Sequence, residues 1–137
     1  MAIYTDSRIL QRCLEQLFGW AFEAEGLSDT LRTSGLSLGL HLREPDTTAY
    51  VDFSAGTVSF NQARSETTDL DLYMTADTAH DFWLGKVNVP LAVAKGTITL
   101  EGSAAKALML AALTAPLSGR YREILRDAGL QEPMVSS

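Results

Sequence analysis

Cysteine is almost absent from this sequence: Cys13 stands alone. A lone thiol excludes an internal disulfide and any metal centre built on paired thiolates. Histidine is nearly as scarce, with only His41 and His80. There is no glycine-rich phosphate loop or His-x-x-x-His pair. Long apolar runs are missing too. The longest uncharged stretch, Ala107 to Gly119, is too short and too rich in small residues to span a bilayer. Met1 to Asp6 lacks the basic and apolar pattern of a secretory signal. The last residues, Val135-Ser136-Ser137, form no peroxisomal address. A cytoplasmic protein is the expectation, and one cysteine suits a reducing compartment.

Positive charge is also in short supply. Eleven Lys and Arg face seventeen Asp and Glu, for a net charge of −6. That balance argues against an electrostatic grip on nucleic acid. The deficit is uneven: residues 1–80 sum to −7 and residues 81–137 to +1. All three lysines, Lys86, Lys95 and Lys106, lie in the second half. This is either chance or a weakly basic rim that tolerates anionic head groups.

What the chain does have is a core. Hydrophobic residues make up 46% of its 137 residues, enough for one globular domain over 1–137, with an ordered part near 6–128 and a frayed tail from 129. Ile9, Leu10, Cys13, Leu14, Leu17, Phe18, Ala21 and Phe22 recur at helical steps, predicting a helix near 6–25 behind the cap pair Asp6-Ser7. Ser28 to Ser34 can add a short helical turn. Leu36, Leu38, Leu40 and Leu42 then alternate with polar residues. So do Ala49, Val51 and Phe53, and after them Val58 and Phe60. Joined by the turns Glu44-Pro45-Asp46 and Ala55-Gly56, these segments predict an antiparallel meander.

After a polar connection, Asn61 to Thr68, a fourth strand carries Leu70, Leu72 and Met74. Two short helices follow, one ending at Gly85-Lys86 and the other running from Asn88 or Val89 to Lys95. Ile98 and Leu100 mark a fifth strand. A small-residue helix spans Ala104 to Thr114, Pro116 interrupts, and Leu117 to Ala128 forms the last helix. The order is α-βββ-β-α-α-β-α-α. The expected fold class is α+β: a five-stranded, mostly antiparallel sheet with one face covered by helices.

The stretch from Asp69 to Leu110 resembles the sterol-carrier-protein type 2 family. Its landmarks are Gly85-Lys86, Gly96, Ile98-Thr99-Leu100, Gly102 and the Lys106 to Leu110 helix. The meander is similar to that family's first three strands, and the tail from Pro116-Leu117 through Arg120-Tyr121-Arg122 to stand-alone bacterial members, so the likeness covers about residues 36–126. It implies an apolar tunnel between sheet and helices that binds fatty acids, fatty acyl-CoA or sterols. It also implies that the domain is not itself an enzyme and needs no cofactor. The family's domain is often fused to lipid-metabolising enzymes, for which this chain is too short.

On this reading the tunnel lining is Phe53, Leu72, Met74, Phe82, Trp83, Leu91, Leu108, Met109, Leu113, Leu117 and Tyr121. Lys86 and Lys95 are weaker candidates for a head-group carboxylate or phosphate, and serve equally well as cations on helix C-termini. The near-uncharged helix Ala104 to Thr114 is expected to be buried on several sides, as core packing or as a tunnel wall. Of Phe82 and Trp83, one should face the sheet and the other a groove, a partner or solvent. Trp20 is expected at the core or its edge.

No catalytic residue is expected. His41 falls on the polar sheet face, and His80-Asp81 in a first helical turn, as adjacent residues that do not face each other. Cys13 packs as a small hydrophobe. Asp69 and Asp71 share a strand face but make no metal site alone.

Three functions stay open. A carrier would enclose its lipid in a pocket of roughly 300–1,000 Å³. An accessory subunit or small enzyme would act on a bound lipid. A homodimeric interaction domain would have a filled core. A continuous cavity opening near Phe82, Leu108 and Leu117 favours the first. Expected partners are a lipid or acyl-CoA, no nucleic acid and at most transient membrane contact, for a monomer or weak homodimer.

Overall fold

The computed structural model describes residues 6–44, 46–61 and 68–129. The expected turn at Pro45, most of the Asn61 to Thr68 connection and all but Gly129 of the expected tail lie outside them. Helix α1 is Ser7–Glu23, and the Asp6 carboxylate caps it by accepting from the Arg8 amide at 2.8 Å. Its buried stripe is Leu10, Cys13, Leu14, Leu17, Phe18, Ala21 and Phe22, which is the periodicity of the sequence made solid. Helix α2, Leu27–Ser34, follows directly.

Strands β1 (Ser37–Arg43), β2 (Thr47–Asp52) and β3 (Thr57–Phe60) form the antiparallel meander. Strand β4 (Leu70–Thr75) lies on the other side of β1 and runs parallel to it. Strand β5 (Thr99–Gly102) closes that edge antiparallel to β4, giving the order β3-β2-β1-β4-β5. The sheet is thus mixed, with one parallel pairing at its centre. Register places Leu38 between Val51 and Leu70, and Leu40 between Ala49 and Leu72. These rows form the apolar face, because alternate side chains share a side.

Helices α3 (Ala76–Trp83) and α4 (Val89–Lys95) bridge β4 to β5. Helix α5 (Ala104–Thr114), one 3-10 turn at Ala115–Leu117 and helix α6 (Ser118–Asp127) complete the order. Helix α1 packs on β2, β3, α2 and α6, and α3 packs on β1 and β4. Phe18 anchors the core, edge-on to Trp83 at 5.5 Å between ring centroids and tilted against Phe53 at 6.4 Å.

Two expectations need correction. Phe82 and Trp83 are both buried. Helix α3 is wedged into the core, so Phe82 packs edge-on against Trp83 while Trp83 meets Phe18. Helix α5 is not enclosed on several sides. Only Ala107, Leu110 and Thr114 of its residues are buried. It sits at the β5 edge, where few elements remain to cover its outer side.

Candidate functional site

The apolar site is built at the β5 edge. The Asn88 side chain caps α4 by accepting from the Leu91 amide at 3.1 Å, and Pro90 occupies the first turn. Gly96, in the left-handed region, ends that helix. The chain then enters β5, which terminates at Gly102 with φ +121°. A Cβ there would lie 2.6 Å from the Asp69 carbonyl oxygen, so glycine lets β5 close against β4. The Ser103 hydroxyl next accepts from the Ala105 and Lys106 amides and starts α5.

Between α4, β5 and α5 lies a cleft of about 230 Å³. Val89, Pro90 and Val93 form one wall, Leu100 the floor, and Ala104, Ala107 and Leu108 the other wall. All seven are apolar. The positions follow from spacing: 89 and 93 are one helical step apart on α4, as are 104, 107 and 108 on α5. Of these only Leu108 is among the sequence candidates. The i, i+4 pair Val89/Val93 was the available signal for the rest. On the other flank of α5, Met109 and Leu113 border a wide, shallow recess of about 440 Å³ with Asp29, Thr30, Thr33 and Ser34 of α2.

The remaining candidates separate into two groups. Phe53, Leu72, Met74, Trp83, Leu117 and Tyr121 are each at most 2% exposed and belong to the closed core, with Phe82 at its margin. Leu91, Leu108 and Met109 are 49%, 51% and 40% exposed. Lys86 and Lys95 are exposed, at the ends of α3 and α4.

His80 corrects the sequence reading, which placed it in a first helical turn. It lies in the last turn of α3, is 2% exposed, and its Nδ1 sits 2.8 Å from the Tyr121 hydroxyl. The two rings pack at 5.5 Å. This contact joins α3 to α6 across the core. Trp83 Nε1 is also buried, and no hydrogen-bond partner is found among the described residues.

The polar chemistry is gathered on the opposite, outer side of the sheet. His41 Nε2 lies 2.8 Å from Asp71 Oδ1, and the Thr68 hydroxyl donates to the other Asp71 oxygen. The approach needs Gly39: a Cβ there would fall 2.1 Å from Asp71 Oδ1. His41 stacks on Tyr73, with centroids 4.3 Å apart. The Tyr73 hydroxyl donates to Glu101 at 2.7 Å, and that bond, with desolvation and the carboxylate charge, pushes the phenol up to about 12. At the strand's start the Ser37 amide donates to Asp69 Oδ2 at 3.1 Å, and Lys106 approaches Oδ1 at 3.4 Å. The amide bond first, and then Lys106, hold the Asp69 carboxyl below its usual range. Such a His–Asp pair could orient a proton carrier. The sheet separates it from the apolar cleft, because Glu101 and Leu100 are successive residues of β5 and point to opposite sides.

Among the described residues no group of three or more His, Cys, Asp or Glu could hold a metal ion. None of the helices there is long and apolar enough to cross a membrane.

The fold is shared with known domains. The UbiJ-SCP2 ubiquinone synthesis protein superposes with a TM-score of 0.62 at 15% identity, covering 82% of this chain and 93% of that one. The sterol carrier protein domain 2 of Helicoverpa armigera gives 0.59 at 18% identity, covering 82% and 90%. A conserved hypothetical protein of Thermus thermophilus, described as possibly a sterol carrier protein, gives 0.56 at 16% identity, covering 91% and 92%. No curated protein matches the sequence. The profile of the SCP-2 sterol transfer family matches residues 16–115, more than half of the sequence, and the chain belongs to that family.

Proposed function

We propose that the protein binds and carries an apolar lipid, of the fatty acid, fatty acyl-CoA or sterol class, without changing it chemically. The observation that carries this reading is the cleft between α4, β5 and α5, whose lining residues are all apolar. Removing hydrocarbon from water there supplies affinity at ~25 cal/mol per Å² before the costs of association. Burial of this kind is non-directional, so tolerance of several lipids follows. The non-catalytic part of the reading is supported by the His41–Asp71 pair lying across the sheet from the cleft.

At about 230 Å³ the cleft is smaller than the usual ligand pocket of roughly 300–1,000 Å³. A full-length lipid therefore enters by displacing α5 outward, the helix with only three buried residues. In that opened state Leu108, Met109, Leu113 and Leu91 form the outer wall. Phe53, Leu72, Met74, Phe82, Trp83, Leu117 and Tyr121 are the inner wall that the core exposes to the guest. Lys86 and Lys95 meet a carboxylate or phosphate at the mouth.

A second reading has the lipid presented to an enzyme by the same cleft. The UbiJ-SCP2 neighbour, by name a ubiquinone synthesis protein, supports keeping it in view. The test is native mass spectrometry before and after lipid extraction, joined to titration with a fluorescent fatty acid. Retained or re-bound lipid, weakened by Leu108→Asp, is the expected result. A protein that neither retains nor takes up fatty acid, acyl-CoA or sterol is not a carrier, and a constant dimer mass would then favour an interaction domain.

A further inference from the structure

We propose that the groove between the first half of α1 and the end of α6 is a binding site for a small zwitterion of the amino-acid class. The first observation is a cavity of about 300 Å³, lined by Ile9, Arg12, Cys13 and Gln16 of α1 and by Asp127 and Ala128 at the end of α6. It is larger than the lipid cleft and shares no residue with it. Its volume stands at the lower end of the usual range for ligand pockets, roughly 300–1,000 Å³. On α1 the positions 9, 12, 13 and 16 follow helical steps, so they form one strip beside the stripe that this helix gives to the core. Cys13 belongs to both and, at 1% exposed, closes the bottom of the cavity.

The second observation is charge. Arg12 and Asp127 bring opposite charges from the two helices that form the cavity, yet among the described residues neither makes an ion pair. Arg12 adds only to the field that lowers the Asp6 carboxyl, and that group is held first by the Arg8 amide and guanidinium. Gln16 supplies an amide one helical turn beyond Arg12. Asp127 is the last residue of α6, where the helix dipole already places partial negative charge. One wall therefore offers guanidinium and amide donors to a carboxylate, and the other offers a carboxylate and a helix C-terminus to an ammonium. Arg126 adjoins Asp127 in the last turn, but successive helix residues do not face the same way.

A free α-amino acid carries both charged groups on one carbon, and Ile9, Cys13 and Ala128 leave an apolar bed for its side chain. A plain anion would leave Asp127 unanswered, and a plain cation would leave Arg12 so. The site is independent of lipid binding, which takes place at the β5 edge. Helices α1 and α6 already pack together. A ligand bridging them would raise the stability of the fold by mass action.

Amide NMR titration of the full chain with L-leucine tests the proposal, run beside N-acetyl-L-leucine, which lacks the ammonium, and L-leucinamide, which lacks the carboxylate. We expect saturable shifts at millimolar leucine, concentrated at residues 9–16 and 124–129. Each blocked form should bind about fivefold more weakly, the fold-change of one exposed ion pair. Arg12→Gln should bind leucine and leucinamide alike, and Asp127→Asn should bind leucine and N-acetyl-leucine alike, since each variant removes one of the two partners. Both positions are exposed, so the variants keep the fold, and their free spectra verify it. Arg126→Gln, beside the cavity, should behave as the parent protein does. The proposal is overturned if leucine gives no saturable shift, if the blocked forms bind as well as leucine, or if the shifts fall outside α1 and α6. It is also overturned if both charge variants keep the parent's discrimination. Fatty acid uptake, measured on the same samples, should be unchanged in Arg12→Gln and Asp127→Asn, so failure of this site and failure of carrying are told apart.

Discussion

Helices α1 and α5 are both rich in apolar residues, and the structure uses them in opposite ways. Over seventeen residues α1 buries a stripe of seven and turns charged residues outward. Over eleven residues α5 buries three and turns Leu108 and Met109 outward. The first pattern is that of a structural helix, whose apolar face is matched by the sheet and by α6. The second leaves hydrocarbon in water, which evolution does not keep for stability. The contrast separates the part of the protein that holds the fold from the part available to a ligand.

The sharpest way to break this comparison is to truncate one residue on each side of it. Phe18 is 1% exposed and touches Phe22, Phe53 and Trp83. Phe18→Ala should cost about 3–5 kcal/mol, from lost burial and the cavity left behind. Leu108 is 51% exposed, so Leu108→Ala should cost less than about 1 kcal/mol while weakening uptake of a fluorescent fatty acid. Urea denaturation of the two variants decides the matter. Equal losses of stability would mean that α5 is as structural as α1.

A smaller effect sharpens the description of the structural half. The Tyr121 hydroxyl and His80 Nδ1, 2.8 Å apart and buried, tie α6 to α3. Tyr121→Phe keeps the ring and removes that bond. The expected loss is about 1–3 kcal/mol, read as a lower urea midpoint with an unchanged slope, the range for a hydrogen bond taken from groups out of water. A neutral result would show that ring packing alone joins these helices.

The outline of the fold was legible because its signals are local. Period-two runs such as Leu36 to Leu42 and the cap pair Asp6-Ser7 marked the strands and helices to within a few residues. What stayed hidden depends on residues far apart in the chain. Nothing in Leu70 to Met74 tells that β4 runs parallel to β1, because alternation is blind to direction. His80 read only as a first-turn neighbour of Asp81, since its partner Tyr121 comes from another helix. The composition of α5 called for burial, but whether a helix is covered is decided by what packs over it. Its outward face could be seen only once β5 was placed at the sheet edge. The cleft residues Val89, Val93 and Leu100 were missed for the same reason: each looks like ordinary core until the gap between α4 and α5 is seen.

The smallest expected effect concerns how α5 is held at all. Asp69 accepts from the Ser37 amide and pairs with Lys106 in the first turn of α5, so it links the starts of β1, β4 and α5. The Ser37 bond and then Lys106 lower its pKa from 3.8. A depressed carboxylate contributes stability above its unfolded value and loses it as pH falls through the folded one. Asp69→Asn should therefore destabilise by about 0.5–1 kcal/mol at neutral pH, a modest figure because the pair is solvent-exposed. The difference from the parent protein should vanish once the pH is well below 3.8. Denaturation curves at stepped pH measure this, and hydrogen exchange locates it. If the tether is what steadies a helix with so little burial, the α5 amides should exchange faster in Asp69→Asn while those of α1 do not change. Uniform acceleration in both helices would mean that α5 opens only with the whole fold, and the division between a structural half and a movable edge would fail.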